Sequence, residues 1–179
     1  IEKHDLRKVK MLREDNTHIR YLSFEEEEAL KRALAARDYR IKKDRENGNK
    51  HRTERGYPLL PDLSNRTFAD HIAPLVIVAM NTGMRKGEIL SLTWADVNFE
   101  REFVTVKAAN AKSGKARHIP LNQKAKSALL NWKLDCGSLH WVFEGENGQP
   151  IKDFKKAWVA LLESAKIIDF RFHDFRHHF

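Results

Sequence analysis

The 179 residues are 41% hydrophobic and 32% charged, a globular balance rather than a disordered one. Lys and Arg number 33 against 25 Asp and Glu, a net charge of +8. That excess favours a polyanionic partner, nucleic acid first and an acidic membrane surface second, although a basic protein without such a partner fits the same count. No run approaches about 18 apolar residues, so no membrane-spanning helix is expected. Cys136 is the single cysteine, which excludes an internal disulfide and a thiolate zinc site and suits a reducing cytoplasm. Ile1 opens a charged stretch with neither a signal peptide nor an initiator Met, so an excised piece of a longer protein is expected.

In chain order, residues 1–22 are charged, lack an apolar period, and read as a linker or the tail of a preceding domain. The main domain is expected over 23–179. Ser23-Phe-Glu-Glu26 has the capping-box pattern, and Leu30, Ala33 and Leu34 give the helix behind it one apolar stripe. Between residues 40 and 55, seven Lys or Arg face three acids. With Gly48, Gly56, Pro58 and Pro61 nearby, this stretch reads as a long exposed loop, either a solvated insertion or a phosphate contact.

Ala73–Met80 (APLVIVAM) predicts a buried helix with Pro74 tolerated near its first turn. It ends at Asn81-Thr82-Gly83, and a second helix runs from Met84 to Leu92. Phe103–Lys107 alternates like a strand, Arg117–Leu121 is its hairpin partner, and Ser113-Gly114 lies in the turn. An amphipathic helix follows over 122–136 on Ala125, Ala128, Leu129 and Trp132. Trp141–Phe143 reads as a short strand, 153–166 as a helix on Phe154, Ala157, Trp158, Leu161 and Leu162, and a last helix starts at Asp169 or Arg171. The fold class is α+β, mostly helical, with one small antiparallel sheet.

Three segments bear chemistry. In Thr82-Gly-Met-Arg85-Lys-Gly-Glu88, a sharp turn sets Arg85 at the mouth of a helix, where guanidinium and amides can face an anion and Glu88 can brace the arginine. An ordinary helical corner with a surface arginine explains the same residues. In Lys107–Leu121 (KAANAKSGKARHIPL), a hairpin tip carrying Lys112 and Lys115 can bring an ammonium into a groove as a proton donor. Exposed hairpins also carry lysine for solubility. In His173-Asp-Phe-Arg176-His177, the first histidine and the arginine share a helical face, and His173 with His177 stand at metal-ligand spacing. No HExxH accompanies them, and Arg176 would set a permanent cation between the ligands, so no metal is assigned.

The order of these segments resembles the catalytic domain of tyrosine recombinases, the phage integrase family. The resemblance covers roughly residues 23–179, and TGMRKGEILSLTWADVNF and HDFRHH carry it. It implies Arg85, Lys112, His173 and Arg176 as catalytic residues, a supporting role for Glu88, and DNA contacts from Lys86, Lys115, Arg117 and His177. It also implies site-specific recombination of double-stranded DNA through a 3′-phosphotyrosyl intermediate, without ATP, metal or other cofactor. Several protomers would assemble on the DNA, in a bacterial or phage-encoded cytoplasmic, nucleoid-associated setting. The family's further His or Trp and its nucleophilic tyrosine are not among these 179 residues: Tyr21, Tyr39 and Tyr57 all precede Arg85. The piece itself is therefore expected not to cleave DNA, with residues 1–22 leading from a preceding DNA-binding domain. A non-catalytic DNA-binding protein on the same scaffold is the alternative. A metal nuclease using His173 and His177 is a more distant one, since it lacks an acidic cluster.

Overall fold

The structure is a computed structural model that describes residues 19–110 and 114–179. Helix α1 (Phe24–Glu54) starts at the expected capping box: Ser23 Oγ accepts from the Glu26 amide, and Glu26 Oε2 accepts from the Ser23 amide at 2.9 Å. The expected linker falls outside the described residues up to residue 18. At its end Leu22 is buried and Arg20 pairs with Glu26, so these positions pack with the domain.

The expected loop over 40–55 is instead the second half of α1. Arg, Lys and Glu are good helix formers and dominate this half, and Gly48 is its one Gly or Pro. No apolar stripe announces this half because its stripe is polar. Lys42, Arg45, Asn49 and Arg52 recur every three or four residues along one face. They donate to the carbonyls of Arg66, Pro61, Leu60 and Pro58, lashing residues 56–66 along the helix as a strap. Asn49 works in both directions, donating to the Leu60 carbonyl and accepting from the Leu60 amide, each at 2.9 Å.

Helix α2 (Ile72–Thr82) is the central post, with nine of its eleven residues buried. Gly83 ends it in the left-handed region at φ 57°. After the short α3 (Lys86–Leu90), strands β1 (Val97–Asn98), β2 (Phe103–Val106) and β3 (Arg117–Pro120) form an antiparallel sheet in that order. Val104 pairs with Ile119 and Val106 with Arg117, which turns Val104, Val106 and Ile119 into the core. β1 carries too few residues to show alternation, and the sequence pattern does not reveal it. Helix α4 (Gln123–Cys136) is capped by Asn122 and packs on α2, and Trp132 donates to the Val142 carbonyl at 2.6 Å. Trp141–Phe143 makes only a single bridge, from Trp141 to Thr93, rather than the expected strand. Helix α5 (Lys155–Ala165) lies along α1, and a 3₁₀ turn over Phe172–Asp174 leads into α6 (Phe175–His178).

One buried acid is poorly matched to its surroundings. Asp38 is 8% exposed, and its Oδ1 has no hydrogen-bond partner. Burial raises its pKa from 3.8 to about 6, and neighbouring Asp70 adds to the shift. The ionised form is thus disfavoured in the folded state. Its destabilisation is absent below the unfolded pKa, grows as pH rises from about 4 to about 6, and is complete above.

Two outcomes follow. Asp38→Asn should raise stability at pH 7.5 by up to about 3 kcal/mol, with the gain vanishing near pH 4, read from melting temperatures across that range. Asn49→Ala should cost about 1–2 kcal/mol locally, speeding hydrogen exchange over 57–62 while leaving the α2 amides unchanged.

Candidate active site

Thr82, Gly83 and Met84 are buried, so the chain must turn sharply between α2 and α3. Thr82 Oγ1 donates to the Val78 carbonyl at 2.6 Å, closing the helix end. A side chain at Gly83 would be strained by its positive φ, and its Cβ would stand 3.0 Å from the Phe179 ring. The turn delivers Arg85, half-buried, as the residue capping α3.

Glu88 holds it there. This side chain is 1% exposed, and it accepts from the Arg85 amide at 2.9 Å and from Arg85 Nη1 at 3.1 Å. Arg117, the first residue of β3, grips the same carboxylate bidentately at 3.0 and 2.7 Å. Burial alone would push the Glu88 carboxyl up, but the hydrogen bonds from Arg117 and Arg85 outweigh it and leave the group below the usual range.

The terminal box is seated by aromatic packing. Phe175 is fully buried, with ring centroids 5.0 Å from Phe170, 5.4 Å from Phe172 and 5.5 Å from Trp158, all edge-to-face. Asp174, also fully buried, accepts from the Arg171 amide at 2.8 Å and from its guanidinium at 2.9 Å. With Phe172, Asp174 and Phe175 facing inward, His173, Arg176 and His177 are left exposed. Arg176 Nη1 donates to the Gly83 carbonyl at 3.0 Å, which brings the end of the chain to the turn before Arg85.

His173 senses this gathering of charge. Its pKa is lowered from 6.5, first by burial, then by His177, Arg176 and Arg85, with Asp174 opposing. The imidazole is therefore neutral at neutral pH and able to accept a proton. His173 and His177 stand 6.1 Å apart between ring centroids. Among the described residues no group of three or more His, Cys, Asp or Glu is placed to hold a metal ion.

The other sequence candidates are placed differently. Lys112 lies outside the described residues. Lys115 is exposed near the hairpin tip. Lys86 turns to Asp153 and lies 4.9 Å from the Phe154 ring centre. Arg117 faces Glu88. Three contributors went unnoticed in the sequence: the Gly83 carbonyl, the buried Asp174, and the Lys107–Asp96 ion pair at 3.0 Å. Asp174 had a signal, since it stands three residues after Arg171 at a helix start. A backbone carbonyl has none.

Residues 53–179 match the phage integrase family. The integrase of Salmonella phage P22 is 32% identical over 117 residues, covering 58% of this chain and 30% of that protein. The shufflon-specific DNA recombinase of Escherichia coli is 32% identical over 101 residues, covering 56% and 24%. The chain thus spans less than a third of either relative. In fold it is similar to the crystal structure of XerA recombinase, with a TM-score of 0.58, 20% identity, and coverage of 90% of this chain and 48% of that one. The Tn1549 transposon integrase in complex with circular intermediate DNA gives a TM-score of 0.61, 17% identity, and coverage of 94% and 55%.

Burial lowers the His173 pKa first, and the neighbouring cations lower it further. Arg85→Ala or Arg176→Ala should move it up toward 6.5, measured by NMR titration of the ring. A value unchanged in both variants would mean that the two guanidiniums do not face this histidine.

Proposed function

The chain belongs to the phage integrase family, and from that premise we propose that it is the phosphate-holding part of a tyrosine-type site-specific recombinase. The observation that carries the reading is the contact of Arg176 with the Gly83 carbonyl, which puts the second arginine beside the turn that presents the first. A phosphodiester repels nucleophiles, and its transition state gathers charge on the non-bridging oxygens. Two guanidiniums, Arg85 and Arg176, suit those oxygens without a metal. A preorganised donor of this kind is worth about 3–4 kcal/mol, by analogy with oxyanion holes.

In the reaction proposed, a tyrosine hydroxyl attacks phosphorus and its proton passes to neutral His173. The P–O5′ bond breaks, and Lys112 protonates the departing 5′-oxygen, a general-acid contribution of about 10²–10⁴-fold. A second 5′-hydroxyl later attacks the 3′-phosphotyrosyl link and reseals the strand. The bond energy is conserved throughout, so no ATP is consumed. The reaction calls for a tyrosine other than Tyr21, Tyr39 and Tyr57, which all precede Arg85 in sequence. Its partners are double-stranded DNA at recombination sites and other recombinase protomers, and its setting is the cytoplasm of a bacterium.

Supporting the partner assignment, the net charge is +8, and no helix among the described residues is long and apolar enough to cross a membrane. The solved Tn1549 integrase carries DNA. Lys115 and His177 are exposed and suit contacts to the DNA backbone.

The test is a nicked duplex offered to a protein that contains this chain and the downstream tyrosine. A covalent protein–DNA adduct should form, and it should fall at least about 100-fold in rate with Arg176→Ala or Arg85→Ala. The 179-residue chain alone should bind duplex DNA with log K falling linearly in log salt, by about 0.9 per phosphate neutralised. Full adduct formation by Arg176→Ala would sink the reading.

A further inference from the structure

We propose that Arg117 is a positioning residue: acting through Glu88, it holds Arg85 in its working orientation and locks the base of the β2–β3 hairpin to the same carboxylate. The proposal rests on the reading that Arg85 binds the scissile phosphate. It assigns Arg117 a task other than DNA contact.

The geometry behind it has three parts. First, the Glu88 carboxylate offers two oxygens and about four acceptor positions. Arg85 supplies two donors and Arg117 two, at 2.9, 3.1, 3.0 and 2.7 Å. Neither arginine can leave without stripping a carboxylate that is only 1% exposed. Second, Arg117 opens β3 opposite Val106, so its backbone belongs to the sheet while its side chain belongs to the arginine turn. A shift of the hairpin pulls on Glu88, and through Glu88 on the Arg85 amide and guanidinium. Third, the other strand is fastened in the same manner. Lys107, directly after β2, pairs at 3.0 Å with Asp96, whose side chain is 6% exposed, and approaches Thr93 Oγ1 at 3.5 Å.

Lys107 and Arg117 flank the segment that contains Lys112 in sequence. Both strand ends are therefore tied to buried acids, Arg117 to Glu88 within α3 and Lys107 to Asp96 between α3 and β1. The bidentate pair engages both terminal nitrogens of Arg117, so a phosphate contact that drew the side chain away from Glu88 would have to break it. Removing one partner from a buried pair is the expensive case, because the remaining charge loses its compensation. The guanidinium is better explained as an internal brace.

Positioning and DNA contact make different signatures. In the protein that cleaves the nicked duplex, Arg117→Gln should lower the rate constant at saturating DNA about 10- to 100-fold, since small misplacements at a reacting centre have effects of that size. Its Kd for DNA should stay within about three-fold, with an unchanged salt slope. Arg117→Lys should recover part of the rate, because an ammonium can pair with Glu88 but cannot span both oxygens. Weaker binding, a salt slope shallower by about 1 and an unaltered saturated rate would identify a phosphate contact and overturn the proposal. An unaltered rate with unaltered binding would overturn it as well.

The 179-residue chain supplies a check that needs no cleavage. Hydrogen exchange of the Arg85 amide should quicken about ten-fold in Arg117→Gln and stay unchanged in Lys115→Gln, the former being the loss of roughly one hydrogen bond's free energy. An unchanged Arg85 amide in Arg117→Gln would overturn the proposal. Should Arg117→Gln fail to fold, the same measurements on Arg117→Lys decide, with a wild-type rate and wild-type exchange counting against it. Failure of the wild-type protein to form any adduct would strike the cleavage reading instead, and the amide measurement would still judge the brace.

Discussion

A single buried carboxylate organises the arginine side of this site. Moving an isolated carboxylate out of water costs several kcal/mol, so Glu88 is tolerable only with its oxygens filled. Arg85 and Arg117 fill them, and burial makes the obligation stronger rather than weaker. The consequence is geometric. Two long side chains that would otherwise sample many rotamers are held by a group that cannot release either. The turn at Thr82-Gly83 and the register of β2 against β3 meet at this one residue. A local helix cap thereby becomes a joint between the central helix and the sheet.

The histidine side is built on a different force. Phe170, Phe172, Phe175 and Trp158 interlock edge-to-face, and four residues of α6 would have no stability of their own without that seat. Packing fixes which residues point inward, and the remaining positions present His173 and Arg176 outward. A polar tie then brings the two halves together, from Arg176 to the Gly83 carbonyl. Apolar packing sets the orientation, and a hydrogen bond to main chain sets the distance.

Much of this was readable in the residues. Ser23 and Glu26 announced the first helix, the run APLVIVAM its buried neighbour, and the alternation at 103–106 and 117–120 the hairpin. Arg85, His173 and Arg176 sit at turn and helix spacings that an ordinary surface also explains, and it is the order of the three segments, with the family resemblance it carries, that singled them out as candidates. Residues 40–55 misled because helices are recognised by apolar periodicity, whereas here the repeating contacts are polar and reach a strap that arrives later in sequence. Trp141–Phe143 misled in the other direction, since its main chain makes isolated bonds to Leu92 and Ile151 and one bridge to Thr93 without extending into a ladder. Arg117 was expected at the DNA because nothing local reveals a partner 29 positions earlier. Long-range pairing of charge with charge leaves no periodic trace.

The polar stripe on α1 has a consequence for how this region tolerates change. Lys42, Arg45, Asn49 and Arg52 all bond to main-chain carbonyls of residues 58–66 rather than to side chains. Carbonyls are present whatever the residue, so the bonds to Leu60 and its neighbours do not depend on the exposed side chains of Leu59 and Leu60, whereas Leu63 is buried. The strap is addressed by its backbone and indifferent to much of its own spelling. That makes its outer surface the natural place to attach a dye, an affinity handle or a crosslinker, leaving the arginine and histidine boxes as they are.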